Sequence, residues 1–289
     1  MDGGFVAGTL VHTDKGLVPI EQIRVGDLVL SKHENGLWEQ AYRRVVNTFG
    51  SHELKKVYAI RYVDKIPQEG QWLPNSDNDY ETLYLTDNHP VWVERIGKQA
   101  AIVLADEQDK EYVDPDLRLE WIRAGDIRTG MRMVLSDGRN GCIVELNERV
   151  FGTDISGLYY EQFGFNASYV VDMRYSEVNR YFVADHFDEM LDRDDTDRNS
   201  IFGDPKKHKV VQEFFEYWHS HRRQKYENGA VSSRIDIPNP VLVDNCVKEG
   251  FGANSRNYDR ARAHIKVYNI EVEEYHTYYV GELGLWVHD

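Results

Sequence analysis

Apolar and polar positions alternate over short stretches in the first half of the chain. Val57-Tyr58-Ala59-Ile60-Arg61-Tyr62, Thr82-Leu83-Tyr84-Leu85 and Pro90-Val91-Trp92-Val93 are rich in β-branched and aromatic residues, the pattern of half-buried strands. Between them, Leu73-Pro74-Asn75-Ser76-Asp77-Asn78-Asp79 reads as a surface loop. The end of the chain has the same texture. Val267-Tyr268-Asn269-Ile270-Glu271-Val272 alternates cleanly, Glu273-Glu274-Tyr275-His276 is turn-like, and Thr277-Tyr278-Tyr279-Val280 returns as a strand. Both ends are therefore expected to be mostly β.

An internal echo adds symmetry to this picture. Gln22-Ile23-Arg24-Val25-Gly26-Asp27-Leu28-Val29-Leu30-Ser31 resembles Asp126-Ile127-Arg128-Thr129-Gly130-Met131-Arg132-Met133-Val134-Leu135-Ser136 with a one-residue slip. Each reads as a turn whose Gly takes a positive φ, followed by a strand entering a core. Chance likeness of two Gly-centred turns is the alternative. Duplication of a β-subdomain accounts for more of the match and predicts a pseudo-twofold body.

From about 151 to 264 the texture changes. Asp185 to Asp197 is strongly acidic. Lys206 to Tyr226 places Val210, Val211, Phe214, Phe215, Tyr217 and Trp218 at roughly helical spacing. The expected organisation is a β body formed by 1–150 and 265–289, with 151–264 as an insertion of mixed α/β character. Within the insertion, Val170 to Met173 and Asn179 to Val183 faintly echo the 267–280 pattern. A hairpin is the preferred reading, a degenerate copy the alternative.

Composition narrows the function classes. Net charge is −15 over 289 residues, and no Lys/Arg run forms a stripe, which weighs against nucleic-acid binding. Cys142 and Cys246 are too few for a disulfide framework or a four-cysteine zinc site; two free thiols are expected ahead of one bridge. No apolar stretch approaches the roughly 20 residues a membrane span needs. Met1-Asp2-Gly3-Gly4 has neither the basic nor the apolar region of a secretory signal, so any export address is expected outside this sequence.

The candidate chemistry lies in an ordered set of motifs at the two ends. Gly4-Phe5-Val6-Ala7-Gly8-Thr9-Leu10-Val11 opens the chain and Val25-Gly26-Asp27-Leu28-Val29 follows. Thr86-Asp87-Asn88-His89-Pro90 comes after a strand, Val267 to Val272 leads to His276, and Val287-His288-Asp289 closes the series. Over about residues 4–150 and 265–289 this set resembles the Hedgehog/intein (Hint) superfamily, in particular the intein-like domains of bacterial polymorphic toxins. Those domains begin Cys-Phe-x-x-Gly-Thr, carry Thr-x-x-His and end Val-His-Asn.

The resemblance implies a Hint fold and self-cleavage or splicing, with the flanking polypeptides as substrate and no metal or organic cofactor. The released partner would be a carboxyl-terminal toxin, and the whole would be part of a larger secreted or effector-associated bacterial protein. It also implies roles. Thr86 and His89 act at the amino junction, where a side chain at position 4 attacks the preceding carbonyl. His89 hydrogen-bonds and protonates the leaving amide nitrogen, a task suited to an imidazole tuned near the operating pH. Placing nucleophile and carbonyl within one chain supplies an effective molarity on the order of 10⁵–10⁸ M. At the carboxyl junction a terminal Asn cyclises onto its own carbonyl, with His288 polarising that carbonyl and His276 assisting. Taken alone, His89 reads as a buried structural histidine; within the ordered set, the functional reading takes over.

Three positions depart from the family pattern. Gly4 stands at the Cys position and has no side chain, so the acyl shift there is lost. Asp289 stands where Asn is usual, and a carboxylate is a poorer participant than a carboxamide; hydrolysis of a cyclised Asn would also leave Asp. Asn269 occupies a position where many splicing members carry Asp, which weakens coupling between the ends. Loss at both reactive positions with the supporting residues kept reads as an inactivated precursor. The rival is a non-catalytic Hint module used for binding or presentation. In a third reading the insertion carries the function, though it lacks homing-endonuclease motifs.

Weaker signals receive plainer readings. Asp192-Arg193-Asp194-Asp195-Thr196-Asp197 lacks the Gly and Glu of a calcium loop and reads as a solvated acidic segment. His208, His219 and His221 read as helix-surface histidines rather than zinc ligands.

Overall fold

Alternating apolar residues bury one face of a strand, and strands apolar on both faces must be covered twice. Both kinds occur in the computed structural model. Its described residues are 3–65, 80–94, 119–147, 150–152, 157–161, 167–172, 180–185, 241–243 and 263–289. They divide into two compact units, Met1–Glu148 with Lys266–Asp289, and Arg149–Ile265.

The first unit is mostly β. Its strands are β1 (Phe5–Val6), β2 (Leu10–Thr13), β3 (Gly16–Pro19), β4 (Leu28–Ser31), β5 (Ala41–Gly50), β6 (Lys55–Lys56), β7 (Tyr58–Val63), β8 (Glu81–Leu85), β9 (Pro90–Glu94), β10 (Leu119–Arg123), β11 (Arg132–Val134) and β12 (Asn140–Asn147). In the second unit lie β13 (Phe151–Gly152), β14 (Gly157–Glu161), β15 (Ala167–Asp172), β16 (Arg180–Asp185), β17 (Val241–Val243) and β18 (Ala263–Ile265). The chain returns to the first unit with β19 (Val267–Val272), β20 (Thr277–Val280) and β21 (Leu285–His288).

One antiparallel sheet of fourteen strands runs in the order β10-β9-β11-β12-β7-β8-β1-β19-β5-β4-β2-β20-β21, with β3 paired to β2. A further pairing of Val287 with Val91 brings β21 back to β9. Phe5, Val11, Ile60, Tyr62, Leu85, Val91, Ile270, Tyr278 and Leu285 are among the side chains fully removed from water in its core. Burying one apolar side chain of this size stabilises by about 1.5–3 kcal/mol. Tyr58–Val63 is buried at almost every position, whereas Ala41–Gly50 is exposed along much of its length.

The internal echo is visible in the backbone. Short 3-10 turns at Ile20–Gln22 and Ala124–Asp126 end with matching bonds, Ile23 N–H to Ile20 C=O and Ile127 N–H to Ala124 C=O, both 3.3 Å. Gly26 and Gly130 follow at φ 99° and 90°, where a Cβ is disfavoured. Gly26 N–H donates to Val45 C=O at 2.8 Å, and Gly130 N–H donates to Ile143 C=O at 2.7 Å. Arg24 and Arg128 each turn a guanidinium back onto the preceding residue's carbonyl, that of Ile23 or Ile127. The one-residue slip suggested by sequence is not present: Ile23 and Ile127, Val29 and Met133, then Ser31 and Leu135 are buried at matching positions of the two copies. Leu-Ser recurs one step late because Leu30 is only partly buried, while its apparent match, Leu135, is in the core.

The second unit contains an antiparallel sheet in the order β13-β14-β15-β16 and the antiparallel pair β17–β18. Val171 pairs with Tyr181 across β15 and β16, an antiparallel pairing in line with the hairpin reading. The predicted helix over 206–226, the acidic segment with Asp192–Asp197, Cys246, His208, His219 and His221 lie outside the described residues. Cys142 is a buried free thiol, pushed up to about 12 by desolvation and so unreactive near neutral pH. Among the described residues no helix is long and apolar enough to cross a membrane.

Candidate functional site

The amino-terminal motif is held by pairing on both sides. Phe5 lies opposite Tyr268 on one side and Leu85 on the other. Gly4, one residue earlier, meets the turn that follows β8. Its N–H donates to Thr86 Oγ1 at 3.0 Å, and Thr86 N–H donates to the Gly4 carbonyl at 3.0 Å. Thr86 is buried, so its hydroxyl satisfies an amide that water does not reach.

Gly4 is closely embraced. A Cβ placed there would lie 2.6 Å from the Tyr268 carbonyl oxygen and 3.0 Å from its carbonyl carbon. Backbone, rather than a flexible side chain, fills the space. Gly3, whose carbonyl precedes the Gly4 amide, stands beside His89: a Cβ on Gly3 would be 3.2 Å from His89 Nδ1.

His89 is 1 % exposed and packs edge-on against Phe5 at 4.4 Å between ring centres. Neither ring nitrogen has a hydrogen-bond partner among the described residues. Burial first, then the nearby His288, lowers its pKa to about 3. Burial thus favours the neutral ring, which differs from the expectation of an imidazole tuned near operating pH. The expected bond from His89 to the junction amide is also absent; Thr86 takes that N–H.

Asn269, in β19, accepts the Tyr278 hydroxyl at 2.6 Å on Oδ1, which also accepts the Ile270 N–H at 2.8 Å. Tyr278 is fully buried, and desolvation followed by the Asp289 charge raises its pKa well above the ordinary value. Asn269 therefore joins a buried polar group that extends towards the carboxyl end.

The β20–β21 hairpin brings His276 and His288 together. Their rings lie nearly parallel with centres 6.4 Å apart, and Thr277 pairs with His288 across the strands. His276 has φ 56°, a conformation that turns it out of the strand direction. Asp289 N–H donates to the His276 carbonyl at 3.0 Å, and Asp289 Oδ2 accepts the Val272 N–H at 2.9 Å. That carboxylate is 3.4 Å from His276 Nδ1 and, through Oδ1, 3.5 Å from His288 Nδ1. His288 Nδ1 is 3.1 Å from the main-chain oxygen of Asp289.

The hairpin turn is pinned from below. Glu81 accepts the N–H groups of Glu282 and Leu283 and the Tyr62 hydroxyl, the last at 2.7 Å. His12 Nε2 reaches the Gly281 carbonyl at 2.8 Å. These contacts fix the strand that carries His288.

Sequence reasoning missed two residues. Glu34 Oε2 lies 3.0 Å from His288 Nε2, and Trp121 packs edge-on against the His288 ring at 5.3 Å. Trp121 Nε1–H also donates to the Glu34 carbonyl at 3.1 Å. Glu34 sits in a polar loop with no motif around it, so nothing in the sequence pointed to it. Trp121 differs only in lying on an apolar strand. Among the described residues no group of three or more His, Cys, Asp or Glu side chains is arranged to hold a metal.

Gly4, Thr86 and His89 therefore meet at one place, and His276, His288 and Asp289 meet at another. A charge on His288 opposes protonation of His89, and Asn269 bonds Tyr278, whose hydroxyl is held protonated in part by the nearby Asp289 charge.

No family model matches the sequence, and no curated protein matches it. Among solved structures, a bacterial intein-like domain from Clostridium thermocellum is similar at 16 % identity and TM-score 0.41, over 99 % of this chain and 98 % of that one. A DnaB intein from Synechocystis sp. PCC 6803 is similar at 8 % identity and TM-score 0.40, with the same two coverages. The gp41-1 intein is similar at 20 % identity and TM-score 0.31, over 51 % of this chain and 79 % of that one.

Proposed function

We propose that this chain is an intein-like domain that processes its own flanks, arrested here at both reactive positions. The observation that carries the reading is the pair of junctions. The Gly4 amide is held by Thr86 with His89 against Gly3, while the main-chain oxygen of Asp289 faces His288. The motif order at the two chain ends supports the same assignment.

With a thiol at position 4, Sγ would add to the Gly3 carbonyl carbon and the bond to the residue 4 nitrogen would break. The thiol proton ends on that amine, leaving a thioester. Thr86 orients the amide nitrogen. His89, held neutral, serves as a hydrogen-bonding group and proton carrier whose basicity rises if the junction opens to water. With Asn at 289, the side-chain nitrogen would add to its own carbonyl carbon and expel the following residue as an amine, which takes up the amide proton. A succinimide remains. His288 polarises that carbonyl. In the family this chain resembles, the released polypeptide is a toxin, and we carry that over as part of the proposal.

One observation favours a second reading, a non-catalytic module that binds or presents its flanks. The backbone at Tyr268 has closed on Gly4 so far that a side chain there requires movement. A site adapted to glycine fits a junction that no longer reacts.

Intact mass decides between them. Gly4→Cys with Asp289→Asn, carrying short tagged flanks, should lose the amino flank in a thiol-dependent step or lose the carboxyl flank. Retention of both flanks between about pH 6 and 9 by a folded protein would sink self-processing in favour of the binding module.

A further inference from the structure

Both ring nitrogens of His288 face oxygen. Nε2 lies 3.0 Å from Glu34 Oε2, and Nδ1 lies 3.1 Å from the main-chain oxygen of Asp289. A neutral imidazole has one N–H and one lone pair, so either tautomer would direct a lone pair at an oxygen. The imidazolium donates on both sides. The geometry suits the charged ring.

Glu34 is itself held in place. Its carbonyl accepts the Trp121 indole N–H at 3.1 Å, and Trp121 packs against the same His288 ring. Around it the loop is closed by Gly36 N–H to the His33 carbonyl at 2.8 Å and Leu37 N–H to Asn35 Oδ1 at 3.0 Å. The carboxylate therefore reaches His288 from an ordered turn after β4.

We propose that Glu34 is a positioning residue for the carboxyl junction: it holds His288 doubly protonated, with Nδ1–H directed at the carbonyl oxygen of residue 289. The catalytic part of this inference rests on the self-processing reading; the pairing does not. Five titratable groups face His288 from the elements around it. They are Glu34 from the loop after β4, the Asp289 side chain, the Asp289 main-chain carboxylate (an amide carbonyl once a flank follows), His276 from the β19–β20 turn, and His89 from the turn before β9. His89 is neutral in its buried site and adds no charge to this set. When Asn replaces Asp289, Glu34 is the carboxylate left bonded to the ring among the described residues. The bond to His288 is also the first cause holding the Glu34 carboxyl below its usual range. Because Glu34 is about half exposed, with 46 % of its side chain open, water screens the pair and the effect is moderate.

The test uses full-length Asp289→Asn protein with a carboxyl flank, comparing Glu34 with Glu34→Gln and Glu34→Asp. Flank release is followed by mass against pH, and the His288 ring by ¹⁵N NMR on the unprocessed Asp289 protein. Glu34→Gln should slow release about tenfold at the alkaline end of the profile. The doubly protonated ring signature should disappear at lower pH, and Glu34→Asp should recover part of both. An unmoved His288 signature overturns the proposal, even where release slows, because the loop would then matter only structurally. Release at an unchanged rate together with that unmoved signature leaves self-processing standing and Glu34 without this role. A signature that moves while no variant releases its flank upholds the pairing and sinks self-processing.

Discussion

Gly4 and Thr86 exchange two hydrogen bonds, the Gly4 N–H to Thr86 Oγ1 and the Thr86 N–H to the Gly4 carbonyl, each 3.0 Å. One threonine thus satisfies both backbone groups of the residue that opens the first motif. Thr86→Val keeps the shape and removes the acceptor, leaving a buried N–H unpaired. The expected loss is about 1–3 kcal/mol in urea unfolding, with Thr86→Ser losing clearly less. Equal stability of Val and Ser at this position would mean that water reaches the Gly4 amide.

Close packing at Gly4 gives a second expectation. A Cβ there meets the Tyr268 carbonyl oxygen at 2.6 Å, whereas a Cβ on Gly3 meets His89 Nδ1 at 3.2 Å. Gly4→Ala must spread β1 from β19 and should cost about 1–3 kcal/mol. Gly3→Ala should cost less, since the His89 ring can shift by a few tenths of an ångström. Thermal unfolding of the two variants ranks them. The reverse order would show that β1 and β19 separate easily, and a thiol at position 4 would then be accommodated without strain.

The repeated turns separate what a sequence displays from what it conceals. Gly26 and Gly130 were legible because a Gly before an apolar strand signals a positive φ, and both adopt one. The strands around Tyr58–Val63, Glu81–Leu85 and Val267–Val272 were legible for a related reason: alternation and β-branching record burial directly. The pairing that brings β21 back to β9 was not, because register between distant strands leaves no local pattern. The same limit hid Glu34, which meets His288 across 254 positions. Thr86 and His89 were found by motif, yet which of them bonds the Gly4 amide depends on ring and hydroxyl geometry that residue identity does not encode.

Gly26 also allows strain to be measured apart from crowding. Its φ is 99°, and a Cβ there would meet nothing within 4 Å. Gly26→Ala should therefore lose about 1–2 kcal/mol through backbone conformation alone. Chemical denaturation checks this, and the slope should stay unchanged because the folded surface is the same. A neutral substitution would show that this turn relaxes out of the left-handed region at little cost.

The pH dependence of stability isolates His89. Its folded pKa is about 3 against 6.5 for an unhindered ring, so between those values the unfolded chain binds the proton and the folded chain does not. Stability carried by this group is complete above about pH 6.5 and is lost as pH falls from there towards 3. Over the whole interval the loss is on the order of 3–5 kcal/mol. Carboxylates also titrate in this range, so the informative quantity is the difference from His89→Leu, which removes the titration. Because the ring nitrogens of His89 have no partner among the described residues, the leucine variant should differ little from the parent at pH 7.5. It should then become the more stable of the two as the solution is acidified to pH 4.5. Parallel stability curves over that range would mean that His89 takes up its proton without unfolding the junction. The imidazole would then be available as an acid beside Gly3 in the folded protein, contrary to the neutral role assigned to it.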